Sequence, residues 1–245
     1  MMLQVLAGYD PRDPSSLRET PPNFLAALER GVKGLKLGWS SNYGYIHSDT
    51  EVLNATIKAS HVFEGLGCSL EESNLSLEAT FETWWTIWTA HAHINSGSLL
   101  QTNKDDLTWY NQAKLEAGAE VTAEHYAKAL GHREQMIAQF NQEFEQFDLL
   151  LSPTMPVTAF PVGTFPETIG GHPVHPNPPY GFMPFSHPIN TIGHPAATVP
   201  CGFSSEGMPI GLHIIGKKGD ESTVLAASAA FEEAQPWTQY LPPIS

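Results

Sequence analysis

Eleven histidines stand out in a chain of 245 residues, and four of them fall in close pairs, His91 with His93 and His172 with His175. Closely spaced histidines are a common grip on zinc. His91 and His93, two positions apart in a helical stretch, point to different sides and cannot hold one ion from one face. His172 and His175 sit in a proline-rich loop with no nearby cysteine or acidic partner, so a structural role is expected. His187 and His194, each followed by proline, are candidates for a pocket wall. A histidine-based metal hydrolase is the least favoured reading, and neither a metal nor a cofactor is expected.

Serine chemistry needs a nucleophile beside a base, with backbone N–H groups free to close on an oxyanion. The sequence has no G-x-S-x-G, and stepping back three residues from each lysine never lands on serine, so S-x-x-K is absent too. Ser96-Gly97-Ser98 is the nearest thing to a glycine-serine loop, and it reads as the end of a tryptophan-rich helix. Within that helix Trp84 and Trp88 share a face and are expected to pack in the core. Cys68 and Cys201, 133 residues apart, form no C-x-x-C pair, which excludes a disulfide framework and fits reduced thiols in a cytoplasmic protein.

These groups sit in a chain with the composition of a folded globular protein, 41% hydrophobic and 16% charged. The net charge is −14, and eight lysines and four arginines make no basic stripe, so no nucleic-acid partner is expected. No apolar run is long enough to cross a bilayer, and the start lacks the pattern of a signal peptide, so no membrane partner is expected. Met1 to Gly8 reads as the last turns of an apolar helix entered midway.

The order of elements predicts an α/β fold. Asn23 to Arg30 reads as a short helix, Gly34 to Trp39 as a strand, and Gly67 to Glu71 as the next strand. Between the strands lies a helix whose Ser48 and Glu51 have capping-box spacing. Strand, helix, strand implies parallel pairing. From Leu75 to Phe147 the pattern is helical, with Tyr126, Leu130, Ile137, Phe140, Phe144 and Phe147 on one face. Asp148 to Pro153 read as a short buried strand running into a proline-rich segment. Between Pro153 and Pro209 stand 13 of the 20 prolines together with Phe160, Phe165, Tyr180, Phe182, Met183 and Phe185, an ordered wall of loops. Two strands follow, Ala196 to Gly202 and Ile210 to Gly216, then a helix capped by Asp220. Three segments of one domain are expected over 1–245, at 1–74, 75–147 and 148–245.

The stretches Asp148 to Pro156, Phe185 to Phe203 and Gly207 to Gly216 resemble the C-terminal half of amidase signature enzymes, and Leu3 to Pro14 resembles that family's segment just after the active site. The resemblance implies a serine hydrolase for carboxylic amides on a mixed β-sheet covered by helices. It works by acyl transfer to serine and then attack by water, with a lysine base acting through a second serine. Both serines and the lysine belong to an N-terminal half that nothing here matches, so no catalytic residue is carried over. The resemblance also implies a pocket wall, with substrate-binding candidates Thr154, Met155, Met183, Phe185, Ser186 and Asn190. In glutamine-using relatives an acidic residue stands where this chain has Met183, which favours an apolar amide here. The expected partners are therefore a small-molecule amide, the missing N-terminal half and, through the surface that half would cover, further copies of this chain. The alternative is a non-catalytic binding or partner subunit.

Overall fold

The computed structural model describes residues 2–175 and 180–240. A five-stranded mixed sheet organises them, in the order β2 (Ser69–Glu72), β1 (Lys36–Trp39), β3 (Leu149–Pro153), β7 (Pro209–Gly216), β6 (Ala196–Phe203). The chain opens with α1 (Met2–Leu6) and α2 (Phe24–Ala27), the latter capped by Asn23, whose side chain accepts from the Ala26 N–H. β1 (Lys36–Trp39) leads through α3 (Thr50–Ser60) and α4 (Val62–Gly65) to β2 (Ser69–Glu72), which pairs parallel with β1, as the strand-helix-strand order predicts. The predicted capping box does not form. Asp49 is the N-cap of α3, and its carboxylate accepts from the Gly170 N–H, while Glu51 is drawn away to the backbone and hydroxyl of Ser205. Long-range partners thus prevail over the local cap.

Next come α5 (Thr80–Ser96), α6 (Leu99–Thr102), a 3₁₀ turn at Lys104–Asp106, α7 (Trp109–Ala119) and α8 (Ala123–Gln146). Ser96-Gly97-Ser98 does lie at a helix end. α8 turns Met136, Phe140 and Phe144 inward, where they meet Tyr43, Phe185, Ile189 and Ile215. β3 (Leu149–Pro153) is wholly buried in mid-sheet, parallel to β1 and antiparallel to β7. A small hairpin, β4 (Thr168–Ile169) with β5 (His172–Pro173), precedes α9 (Ser186–Ile192). β6 (Ala196–Phe203) and β7 (Pro209–Gly216) pair antiparallel, and α10 (Glu221–Ala234) begins at Asp220, whose carboxylate accepts from the Thr223 N–H. On the opposite face of the sheet, Leu37, Leu149, Leu151, Leu212 and Ile214 pack against Phe63 and Phe231. The alternation of β7 explains the two layers, because successive side chains point to opposite faces.

Gly118 sets how closely α7 approaches α5. A Cβ there would run into the Thr89 carbonyl and lie 2.7 Å from His93 Cβ. Gly118→Ala gains about 1 kcal/mol of helix propensity, but overpacking costs about 1–3 kcal/mol, and a backbone obstacle cannot rotate aside. A net destabilisation is expected in urea unfolding, larger still for Gly118→Val; a stabilised Gly118→Ala would contradict this packing.

Candidate functional site

The carboxyl end of β3 runs straight into a cavity of about 600 Å³. Three strand neighbours fix its floor. The Thr154 N–H donates to the Gly211 carbonyl at 3.0 Å, and the Thr154 and Thr198 hydroxyls hydrogen-bond each other at 2.6 Å. Gly211 is required between them, since a Cβ there would lie 2.6 Å from one hydroxyl and 2.9 Å from the other. The remaining wall is mostly apolar and includes Val52, Met155, Phe160, Phe182 and Ile210. Phe160 meets Phe182 edge-on at 5.0 Å, an arrangement that ring quadrupoles favour. The site can therefore hold a small apolar group against a pair of hydroxyls.

Of the residues expected from sequence, Thr154 and Met155 line this cavity. Phe185 is fully buried and stands edge-on to Tyr43 at 5.2 Å, so it packs in the core instead of facing a cavity. Ser186 opens α9 with its hydroxyl donating to the Met183 carbonyl, and Asn190 donates to the Ser186 carbonyl. Both edge a different cavity of about 460 Å³. Met183 is half-buried in the turn before α9, its N–H donating to the Tyr180 carbonyl, and it is not among the residues lining either cavity. Its neighbour Phe182 takes that place. Thr198 and Gly211 escape a reading of the sequence because cross-strand adjacency leaves no local signal; Phe160 and Phe182 show only as aromatics too many for a solvated loop.

A third cavity, about 320 Å³, gathers four histidines. His47 stacks on His172 at 3.5 Å, His175 on Phe81 at 3.7 Å, and His187 on Trp84 at 4.3 Å. His91 and His93 do diverge, one bonding the Tyr126 hydroxyl and the other the Leu115 carbonyl. Among the described residues no three His, Cys, Asp or Glu side chains are grouped to hold a metal ion. Trp84 and Trp88 stack at 4.8 Å but stay half-buried beside a groove, less enclosed than a core position.

Nucleophile chemistry is weakly supported by these side chains. Burial pushes the Cys201 thiol up to about 12 and raises that of Cys68, so neither is a ready thiolate. Ser73, Ser186 and Ser205 donate to Glu143, Met183 and Glu51 respectively, and none of these acceptors is a lysine or histidine. Burial also pushes His187 and His213 down to about 4, from an ordinary 6.5. A histidine whose folded pKa is depressed contributes stability in full above its unfolded pKa, and loses it as pH falls toward the folded value. Each unit is worth about 1.4 kcal/mol, so a loss of several kcal/mol is expected between pH 6.5 and 4. Urea midpoints across that range check it; a flat profile would contradict it.

Comparison with known proteins follows the same lines. Residues 1–225 match the profile of the Amidase family. An acylamidase of Rhodococcus erythropolis is 29% identical over 99% of this chain and 51% of its own length. An amidase of Pseudomonas putida is 32% identical over 99% of this chain and 52% of its own. Among solved structures, a bacterial aryl acylamidase of the amidase signature family superposes with a TM-score of 0.82 at 31% identity, over 95% of this chain and 50% of that one. A 6-aminohexanoate cyclic dimer hydrolase shares the fold with a TM-score of 0.83 at 22% identity, over 99% and 53%. The chain spans about half the length of the curated relatives it matches.

Proposed function

This chain belongs to the Amidase family, and on that premise we propose that it provides the acyl-binding half of a hydrolase for small, apolar carboxylic amides. The observation that carries the reading is the cavity of about 600 Å³ at the end of β3, where Thr154 and Met155, singled out from sequence, line a largely apolar wall. Ligands in α/β sheets characteristically bind beyond the carboxyl ends of strands. In this reading Met155, Phe160 and Phe182 exclude water from the acyl group, the Thr154 and Thr198 hydroxyls hold its polar end, and Met183, next to Phe182, supports the wall from the turn into α9.

The same proposal assigns the serine pair and the lysine to the N-terminal half of such an enzyme, with this chain corresponding to the C-terminal half. Support comes from what lies uncovered. Met2, Val5 and Leu6 on α1 are 79–81% exposed, and β2 and β6 end the sheet without a further neighbour among the described residues. An open edge and exposed apolar helix are surfaces a folded enzyme would cover. The uncovered surface is where the other half would pack, and a chain without that cover is expected to self-associate, in a cytoplasmic setting, with further copies of itself. The relatives bearing amidase and acylamidase names support amide hydrolysis at the level of the family.

Substrate preference tests the pocket, using this chain mixed with the N-terminal half of a relative. Aspartate within an apolar wall either leaves a charge unpaired or is forced to protonate. Phe182→Asp is expected to lower kcat/KM for aliphatic amides by roughly tenfold or more, with amino-bearing amides gaining relative to them, and Met183→Asp is expected to act in the same direction but more weakly. Unchanged preference in both variants would remove the apolar-amide reading.

A further inference from the structure

The cavity of about 460 Å³ beside α9 brings together two buried histidines of opposite hydrogen-bonding character. His213, 7% exposed, stands on β7 opposite Ser152 and Thr198. Its Nδ1 is enclosed and has no hydrogen-bond partner, so Nε2 is the ring nitrogen left to meet a ligand. A neutral imidazole carries one proton, and an unmatched N–H in a dry interior costs more than an unmatched lone pair. The proton therefore resides on Nε2.

His194 has the other tautomer. It is 8% exposed, and its ring lies parallel to Phe144 at 5.2 Å. Its Nδ1–H donates to the Gly216 carbonyl at 2.9 Å, which leaves Nε2 as a lone-pair acceptor. Burial lowers the pKa of both rings, that of His213 to about 4, so both are neutral at pH 7. Asn190, whose N–H already donates to the Ser186 carbonyl, offers Oδ1, and Glu221 adds a carboxylate to the same lining. The wall thus holds one ring donor among several acceptors.

We propose that this cavity is a binding site for a small neutral ligand carrying N–H donors beside a carbonyl acceptor, as a primary carboxamide does: His213 Nε2–H donates to the carbonyl, and His194 Nε2 and Asn190 Oδ1 accept the N–H groups. A carboxylate ligand would face Glu221 and two lone pairs with one donor to receive it. A simple ammonium would leave the His213 donor unmatched. The cavity shares no lining residue with the one at Thr154, so its occupancy stands or falls separately from the amide-hydrolase reading.

Two-bond ¹H–¹⁵N spectra of the full chain at pH 7.5 read both tautomers directly, with His194 expected as Nδ1–H and His213 as Nε2–H. Acetamide is expected to shift both sets of signals in a saturable manner, with N,N-dimethylacetamide and acetate at least tenfold weaker. Asn190→Ala, at an exposed position, is expected to weaken acetamide several-fold without loss of fold, and His194→Leu more than tenfold. If His194→Leu fails to fold, the Asn190 variant and the tautomers still decide. An Nδ1–H form of His213, no response to acetamide, or equal response to all three compounds would overturn the proposal.

Discussion

Incubated with simple aliphatic or aromatic amides, the isolated chain is expected to release no ammonia above the uncatalysed rate. Enzymes take roughly 8–23 kcal/mol from the barrier, and for serine hydrolysis that requires a nucleophile within about 2.6–3.2 Å of its base. The serines with hydrogen-bond acceptors meet carboxylates and backbone carbonyls, as Ser73 does Glu143 and Ser186 does Met183. The thiols are no substitute, since burial holds Cys201 up at about 12. A cavity with two threonine hydroxyls can bind an acyl group, but binding alone lowers no barrier. The measurement is ammonia release across an amide panel; turnover that survives purification and is abolished by a serine-directed reagent would point to Ser96, Ser98 or Ser186 as an overlooked nucleophile.

Phe140→Ala is expected to lower stability by about 3–5 kcal/mol, the range for deleting a fully buried phenylalanine. Phe140 stands in mid-α8 with no exposed surface, its ring 6.4 Å from both Tyr43 and Phe144 and 5.7 Å from His194. Aromatic pairs of this kind add about 0.5–1.5 kcal/mol beyond area burial. Tyr43 in turn donates its hydroxyl to Ser152 on β3, so the void would open beneath the sheet where α8 rests on it. Urea unfolding should show a lower midpoint at unchanged slope, with half-buried Ile137→Ala costing less. A loss under 1 kcal/mol for Phe140→Ala would mean that α8 does not anchor this core.

Much of this architecture is written in local pattern. The apolar run Leu149 to Leu151 becomes the central strand because both of its faces are covered, and Asp220 caps α10 because a short carboxylate at that point can reach the Thr223 N–H. The start of α3 is not legible in the same way. Ser48 and Glu51 have the spacing of a capping box, yet the groups that decide the outcome, Gly170 and Ser205, lie 121 and 154 residues away along the chain. The candidate pocket divides likewise. Thr154 and Met155 follow a recognisable strand and its proline, whereas Thr198 and Gly211 join them only through the β6–β7 register. Phe182 and Met183 are adjacent in a turn, and nothing local to the sequence says which of two neighbours faces a cavity.

If this chain holds the acyl group while another half performs the chemistry, activity must depend on both. Ammonia release from an aliphatic amide, followed for this chain, for the N-terminal half of a relative, and for their mixture, tests that division most directly. Turnover is expected only in the mixture, saturating at equal amounts of the two and abolished when the relative's nucleophilic serine is replaced. Equal turnover by this chain alone, or a mixture that binds tightly but never turns over, would contradict it.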